Sequence, residues 1–196
     1  GQELASAVQQ ARVSGEKMAV LLLNLDRFKD VNESYGHLVG DEVLKHIARQ
    51  VQAALRPGDM IGRMAGDEIV VVARNLRNQS EASEIAERLI RSAAQPWRSP
   101  DSFAVVVGVS AGICMFPQQA SEPAALLQGA HAAVYGAKEG KGGSSDWCFY
   151  DESMTLAARE RMALESKLRL AVQRQQLQLY YQPQVDIASG RIIGAE

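Results

Sequence analysis

Between Met60 and Val72 the chain writes a β-hairpin whose tip carries two adjacent carboxylates. Met60-Ile61-Gly62-Arg63 reads as a short strand, and Ile69-Val70-Val71-Val72 is a β-branched run without polar interruption, as expected of a buried strand. Between them, in Arg63-Met64-Ala65-Gly66-Asp67-Glu68-Ile69, Gly66 is placed to supply the positive φ that such a turn needs. An Asp-Glu pair on a rigid hairpin can hold a divalent cation against a phosphorylated substrate. The alternative is an acidic tip that is merely solvated.

The rest of the chain supplies a setting for that tip. A leading helix to about Ser14 precedes a buried strand at 18–25, MAVLLLNL. Helical segments follow at 27–35 and 40–55, then the hairpin at 60–73 and a helix at 80–94. A strand at 103–115, a helix at 123–138 and a short strand from Asp146 to Tyr150 complete the order. Strands and helices mixed this way around an antiparallel hairpin predict an α+β fold. Beyond it, 152–174 reads as a long charged helix with apolar Leu156, Leu164, Leu168 and Ala171 at helical spacing. A second hairpin is predicted over Gln178–Glu196, turning at Ala188-Ser189-Gly190.

Composition narrows the class of partner. The 196 residues carry a net charge of −2, which argues against nucleic acid. No apolar run reaches the ~18 residues of a membrane span, and no N-terminal stretch has a signal peptide's order. Cys114 and Cys148 lie on apolar, strand-like segments without metal-ligand spacing. They read as buried free thiols of a reducing compartment, so a cytoplasmic location is expected, with any membrane anchor of a longer protein lying outside these residues.

Two motifs in order carry a family resemblance. The segment Asn24-Leu25-Asp26-Arg27-Phe28-Lys29-Asp30-Val31-Asn32, with Gly36-His37-Leu38-Val39-Gly40-Asp41 after it, resembles the D-x-D-x-F-K-x-x-N...G-H-x-x-G-D pattern of GGDEF diguanylate cyclase domains. The hairpin resembles their R-x-G-G-[DE]-E-F. The resemblance implies a palm-like central β-sheet flanked by helices, over residues 1–151. It also implies the joining of two GTP molecules, one on each of two facing domains, and so a homodimer with Mg2+ (or Mn2+) as cofactor.

Site residues follow by resemblance. Asp67 and Glu68 correspond to the catalytic and metal-binding carboxylates, with Asn24 and the Leu25 backbone as further metal ligands. Gly66 lets backbone approach the nucleotide, Asn32 and Asp41 match the guanine-reading positions, and Phe28 and Lys29 match those around the terminal phosphates. Lys138 matches the phosphate-contacting lysine of A-K-x-x-G-R, with Lys141 a substitute for the absent arginine. Arg56-Pro57-Gly58-Asp59 matches the R-x-x-D inhibitory site for the product, cyclic di-GMP. Each residue also has a plain reading. Asn32 and Asp41 could cap or turn, Asp26 is expected to cap the helix after it, and Lys138 suits a solvated helix end. Arg56 and Asp59 suit a helix end followed by a Pro-Gly turn.

Departures from the pattern bear on activity. Asn24 stands where the family has an aspartate, so an uncharged amide replaces a carboxylate. Ala65 replaces the first glycine of G-G-D-E-F, at a cost of roughly 1 kcal/mol if that position needs φ > 0. The second hairpin resembles the opening of an EAL phosphodiesterase, L-Y-Y-Q-P-[QI]-V-D...G-x-x-x-G-A-E-A-L, with Glu196 at its first E. On that resemblance 152–176 is an interdomain linker and 177–196 the first hairpin of a truncated EAL domain. The expected function is a degenerate GGDEF domain that binds GTP and regulates that EAL partner. The alternatives are an active diguanylate cyclase and a dimerisation or interaction module.

Overall fold

The computed structural model describes residues 2–100, 103–139 and 146–196. The chain runs α1 (Gln2–Ser14), β1 (Lys17–Leu25), α2 (Phe28–Tyr35), α3 (His37–Ala53), β2 (Met60–Arg63), β3 (Glu68–Leu76) and α4 (Gln79–Ala93). It continues through β4 (Trp97–Arg98), β5 (Ala104–Val105), β6 (Val109–Phe116), α5 (Pro123–Glu139), β7 (Trp147–Phe149), α6 (Glu152–Gln173), β8 (Pro183–Val185) and β9 (Ile192–Ala195). These elements form two compact units, Gly1–Leu156 and Ala157–Glu196.

In the first unit a five-stranded sheet has the order β2-β3-β1-β6-β7. Strand β1 is central and pairs antiparallel with β3 and β6, while β7 joins β6 in parallel. Because successive side chains of a strand point to opposite faces, the apolar run of β1 feeds two cores. Leu21, Leu23 and Leu25 pack with Phe28 of α2, Val43 and Ile47 of α3, and Ile85 and Leu89 of α4. Met18, Val20 and Leu22 pack with Leu4 and Val8 of α1 and Leu126 and Val134 of α5. The result is a mixed sheet with helices on both faces, the expected α+β architecture. Helix α5 lies very close on β6. A Cβ on Gly112 would collide with backbone atoms of Ala130, Ala133 and Val134, so the absence of a side chain there sets how near α5 can come.

One predicted strand divides. The 103–115 segment is β5 and β6, because Ala104 and Val105 turn aside to pair with Arg98 and Trp97 of β4, a two-residue strand too short for periodicity to announce. The break at Gly108 is used, since its carbonyl accepts the Asp26 N–H at 2.8 Å.

Helix α6 is exposed at Leu156, Leu164 and Leu168, as its charged pattern anticipates. In the second unit the Gln182 and Glu196 backbones exchange hydrogen bonds at 2.9 Å, and β8 pairs antiparallel with β9. The intervening turn is closed by Asp186, whose Oδ1 accepts from the Ser189 N–H at 2.7 Å and from its hydroxyl at 2.5 Å.

Candidate functional site

At the end of β1 the alternation that builds the core delivers polar residues to the α5 face. Asn24 continues the Met18, Val20, Leu22 series, and the sheet register sets Glu68 of β3 on one side of it and Ser110 of β6 on the other. Above this row stand two side chains of α5. Lys138 Nζ donates to Asn24 Oδ1 at 2.5 Å and lies 3.9 Å from Asp26 Oδ1. His131 Nε2 is 3.3 Å from Glu68 Oε2, while its Nδ1 is 2.9 Å from the Leu127 carbonyl oxygen. Both ring nitrogens face acceptors, so a neutral ring makes one of these bonds and only the doubly protonated ring makes both.

Asp26 corrects an expectation. It does not cap α2: the N-cap is Arg27, in a left-handed conformation at φ 53° with no side-chain cap bond. Asp26 instead turns toward the sheet, where Oδ1 accepts from the Ser110 hydroxyl at 2.8 Å and Oδ2 is buried without a hydrogen-bond partner. The reason is local. The Asp26 N–H is held by the Gly108 carbonyl, which keeps Asp26 at the sheet edge, and the left-handed Arg27 makes the turn into α2.

The hairpin tip is fastened to the same strand end. The Leu25 N–H donates to the Asp67 carbonyl at 3.2 Å, and Arg63 Nη2 donates to the Gly66 carbonyl at 3.0 Å. Gly66 has φ +60°, as the turn required, whereas Ala65 is not among the residues with positive φ. The departure at Ala65 therefore carries no backbone strain of the kind considered above.

On the other face of the sheet, α2 carries Asn32 and α3 carries Asp41. Gly40 lies against Asn32, whose side-chain oxygen and Cγ fill the space a Cβ would need. Asp41 is exposed, Asn32 half-buried, and Phe28 is 8% exposed in the core beneath them, so its ring packs rather than faces solvent. Lys29 is on the surface with Glu33 at 3.2 Å, an exposed pair of the kind worth little. Lys141 lies outside the described residues.

Arg56 and Asp59 form a closed clasp. The Asp59 side chain is 2% exposed and accepts from the backbone N–H of Arg56 (3.1 Å) and of Arg74 (3.2 Å). The Arg56 guanidinium reaches Asp59 through Nε (3.3 Å), Glu81 Oε1 through Nη1 (2.7 Å) and the Arg74 carbonyl through Nη2 (3.1 Å). These bonds tie the α3–β2 turn to β3 and to the first turn of α4.

Whether the row suits a divalent cation can be judged from its donors. Among the described residues no three His, Cys, Asp or Glu side chains gather as a cation site. Asn24 Oδ1 is held by an ammonium and Glu68 Oε2 faces His131. Asp26 Oδ2, the unsatisfied carboxylate oxygen of the corner, is closed to solvent, while Mg2+ keeps several of its waters. The donor set does not fit a hydrated Mg2+ at Asn24. His131, Ser110 and Gly40 are the residues sequence reasoning missed. For His131 there was a signal: it is seven residues before Lys138, hence on the same face of a helix.

Comparison with known proteins gives this geometry its family. Residues 1–144 match the family model described as diguanylate cyclase, GGDEF domain. MucR of Pseudomonas aeruginosa, a bifunctional diguanylate cyclase/cyclic di-GMP phosphodiesterase, is 37% identical over 193 residues, 98% of this chain and 28% of its own length. NbdA of the same organism, a cyclic di-GMP phosphodiesterase, is 31% identical over 94% of this chain and 23% of its own. The chain thus spans about a quarter of the length of these curated relatives. Among solved structures, the GGDEF domain of TpbB (YfiN) from Pseudomonas aeruginosa superposes with a TM-score of 0.75 at 34% identity, covering 81% of this chain and 91% of that one. With the sheet order, the hairpin tip and the family match all in agreement, the chain belongs to the GGDEF domain family of cyclic di-GMP signalling proteins.

Proposed function

We propose that this domain binds GTP, makes little or no cyclic di-GMP, and regulates an EAL phosphodiesterase joined to it through α6. The observation that carries the reading is the Lys138–Asn24 bond at 2.5 Å. Joining two GTP molecules requires neutralising triphosphate charge and aiming a hydroxyl at an α-phosphate. In the family a carboxylate at position 24 helps to hold cations for that task. Here an amide stands there and a lysine is bonded to it.

Binding does not need the same corner. Asn32 and Asp41 offer oxygen acceptors to the N–H donors of guanine, which adenine does not present in that arrangement. Gly66 leaves room for backbone to approach the nucleotide, and Lys29 and Lys138 supply positive charge toward phosphates. Asp67 and Glu68 remain at the tip, Glu68 braced by His131. Cyclic di-GMP is assigned to Arg56 and Asp59, in competition with the Glu81 carboxylate that already takes the guanidinium.

Regulation of a partner requires that GTP bind its two activity states with different affinity. A coupling of ~1–3 kcal/mol would change apparent cyclic di-GMP affinity by roughly 5–150-fold. The test is phosphodiesterase activity of the longer protein across a GTP titration, with calorimetry of GTP and ATP binding. GTP should bind better than ATP, and Asp41→Ala should weaken it. A flat phosphodiesterase response despite GTP binding would sink the regulatory reading; equal affinity for GTP and ATP would sink the guanine pocket.

The alternative of an active cyclase is favoured by one observation, the unstrained backbone at Ala65. That reading is tested by following product formation from GTP and Mg2+.

A further inference from the structure

We infer that Lys138 takes the place of a divalent cation, so that this domain binds a nucleoside triphosphate without Mg2+. The inference rests on the GTP-binding reading above and adds how the phosphates are neutralised. Three observations carry it. Lys138 Nζ is bonded to Asn24 Oδ1 at 2.5 Å and stands 3.9 Å from Asp26 Oδ1. Asp26 is largely buried, at 13% side-chain exposure, and its Oδ2 has no hydrogen-bond partner, so this carboxylate needs a fixed positive charge nearby. The Lys138 side chain is 36% exposed, which leaves the ammonium within reach of a ligand from solvent.

The chemistry of the corner is self-consistent. An amide oxygen accepts from an ammonium as readily as it would coordinate a metal, yet brings no charge of its own. With a carboxylate at position 24 the site would carry one more negative charge and could hold a divalent ion beside Lys138. With Asn24 that charge is missing, so a divalent ion close to the ammonium would have one negative charge fewer to offset their repulsion. A lysine ammonium has three donors. Contact with Asn24 and Asp26 leaves capacity for a phosphate oxygen. The amide and the lysine therefore read as one adaptation: loss of the metal-binding carboxylate and retention of a tethered cation.

The experiment is isothermal calorimetry of GTP against the full chain, in EDTA and in Mg2+, for the wild type, Lys138→Gln and Lys138→Arg. The wild type should bind GTP in EDTA with an affinity within about threefold of that in Mg2+. Lys138→Gln should lose about tenfold or more in EDTA, the effect of removing one charged hydrogen-bond partner, while Mg2+ restores part of the loss. Lys138→Arg keeps the charge and should keep binding in EDTA, which separates loss of charge from damage to the fold. GTP binding that appears only with Mg2+, or that Lys138→Gln leaves unchanged in EDTA, overturns the inference while leaving the GTP reading intact. Absence of GTP binding under both conditions overturns both.

Discussion

The Asn32 side-chain oxygen occupies the space that a Cβ on Gly40 would fill, with the Phe28 ring 3.5 Å from the same point. This contact leaves no room between α2 and α3 for a side chain at position 40, and it seats Asn32 beside the residue that precedes Asp41. Alanine at position 40 must push Asn32 away or separate the helices. Overpacking of this kind costs ~1–3 kcal/mol, so Gly40→Ala should lower the melting temperature by several degrees. It should also weaken GTP binding about tenfold, if a guanine partner is lost. The double variant Gly40→Ala/Asn32→Ala should recover the stability but not the GTP affinity, since the space returns and the acceptor does not. Recovery of both would show that Asn32 has no part in binding.

How much of this was legible in the sequence differs by element. The apolar run of β1 and the β-branched run of β3 announced a buried sheet, because burial on both faces leaves no other pattern. The Asp67-Glu68 tip and the Gly66 turn were equally plain. What periodicity could not show was the chain's turn at Gly108, which depends on an Asp26 N–H arriving from another strand. For the same reason Asp26 read as a cap. Its side chain serves Ser110, 84 residues away. Lys138 was identified by motif, but its bond to Asn24 exists only because Gly112 lets α5 lie against β6. Long-range juxtapositions of this sort leave no local trace.

The Arg56–Asp59 clasp makes a second prediction. Asp59 is nearly inaccessible and satisfies two backbone N–H groups besides the guanidinium. Asp59→Ala leaves those donors without a partner and should destabilise the fold by about 2–3 kcal/mol in urea unfolding. Glu81→Gln acts differently, because it removes the charge that holds Nη1. If cyclic di-GMP uses this pair, its affinity should rise in Glu81→Gln. The pH response has a definite sign. The Glu81 carboxyl is held below its ordinary value, first by the Arg77 backbone N–H and then by the Arg77 and Arg56 charges, which together outweigh the opposing effect of burial. Its contribution is present above the ordinary carboxylate range and is lost as pH falls through the lowered value. Stability of Glu81→Gln should therefore converge on that of the wild type in acid.

The two thiols should behave unequally. Burial pushes the Cys114 thiol up to about 12, so almost none of it is thiolate near neutrality. Cys148 is only half-buried, short of the full burial its sequence suggests, and its thiol is raised by burial and by Asp146. Iodoacetamide at mildly alkaline pH, followed by mass spectrometry, should modify Cys148 slowly and Cys114 only after unfolding. The folded state holds the Cys114 proton more tightly than the unfolded chain does. That stabilisation is complete below the ordinary thiol value and is lost as pH rises toward 12. Rapid native labelling of Cys114 would show that the α5–β6 contact opens readily.

Asn24→Asp tests the corner from the other side. In the wild type, Lys138 donates to a neutral amide, with the Asp26 carboxylate 3.9 Å away. The ammonium already makes this bond charge-assisted; a carboxylate at position 24 ionises the acceptor as well and turns the bond into an ion pair. The side chains there are partly exposed, so the gain in stability should be small, at most ~1 kcal/mol. The larger change is in charge. With the new carboxylate the row gains one negative charge beside Lys138 and can better attract a divalent cation. GTP binding should then become tighter in Mg2+ than in EDTA. If the tip and the proposed guanine-binding residues are otherwise sound, slow production of cyclic di-GMP should appear and be detectable by chromatography. Asp67 and Glu68 keep their places on the hairpin, and Ala65 adds no strain, so neither stands in the way. A variant that gains Mg2+-responsive GTP binding yet makes no product would put the lesion in the assembly of two facing domains. One that gains neither would show that the amide at position 24 does not decide metal binding or product formation here.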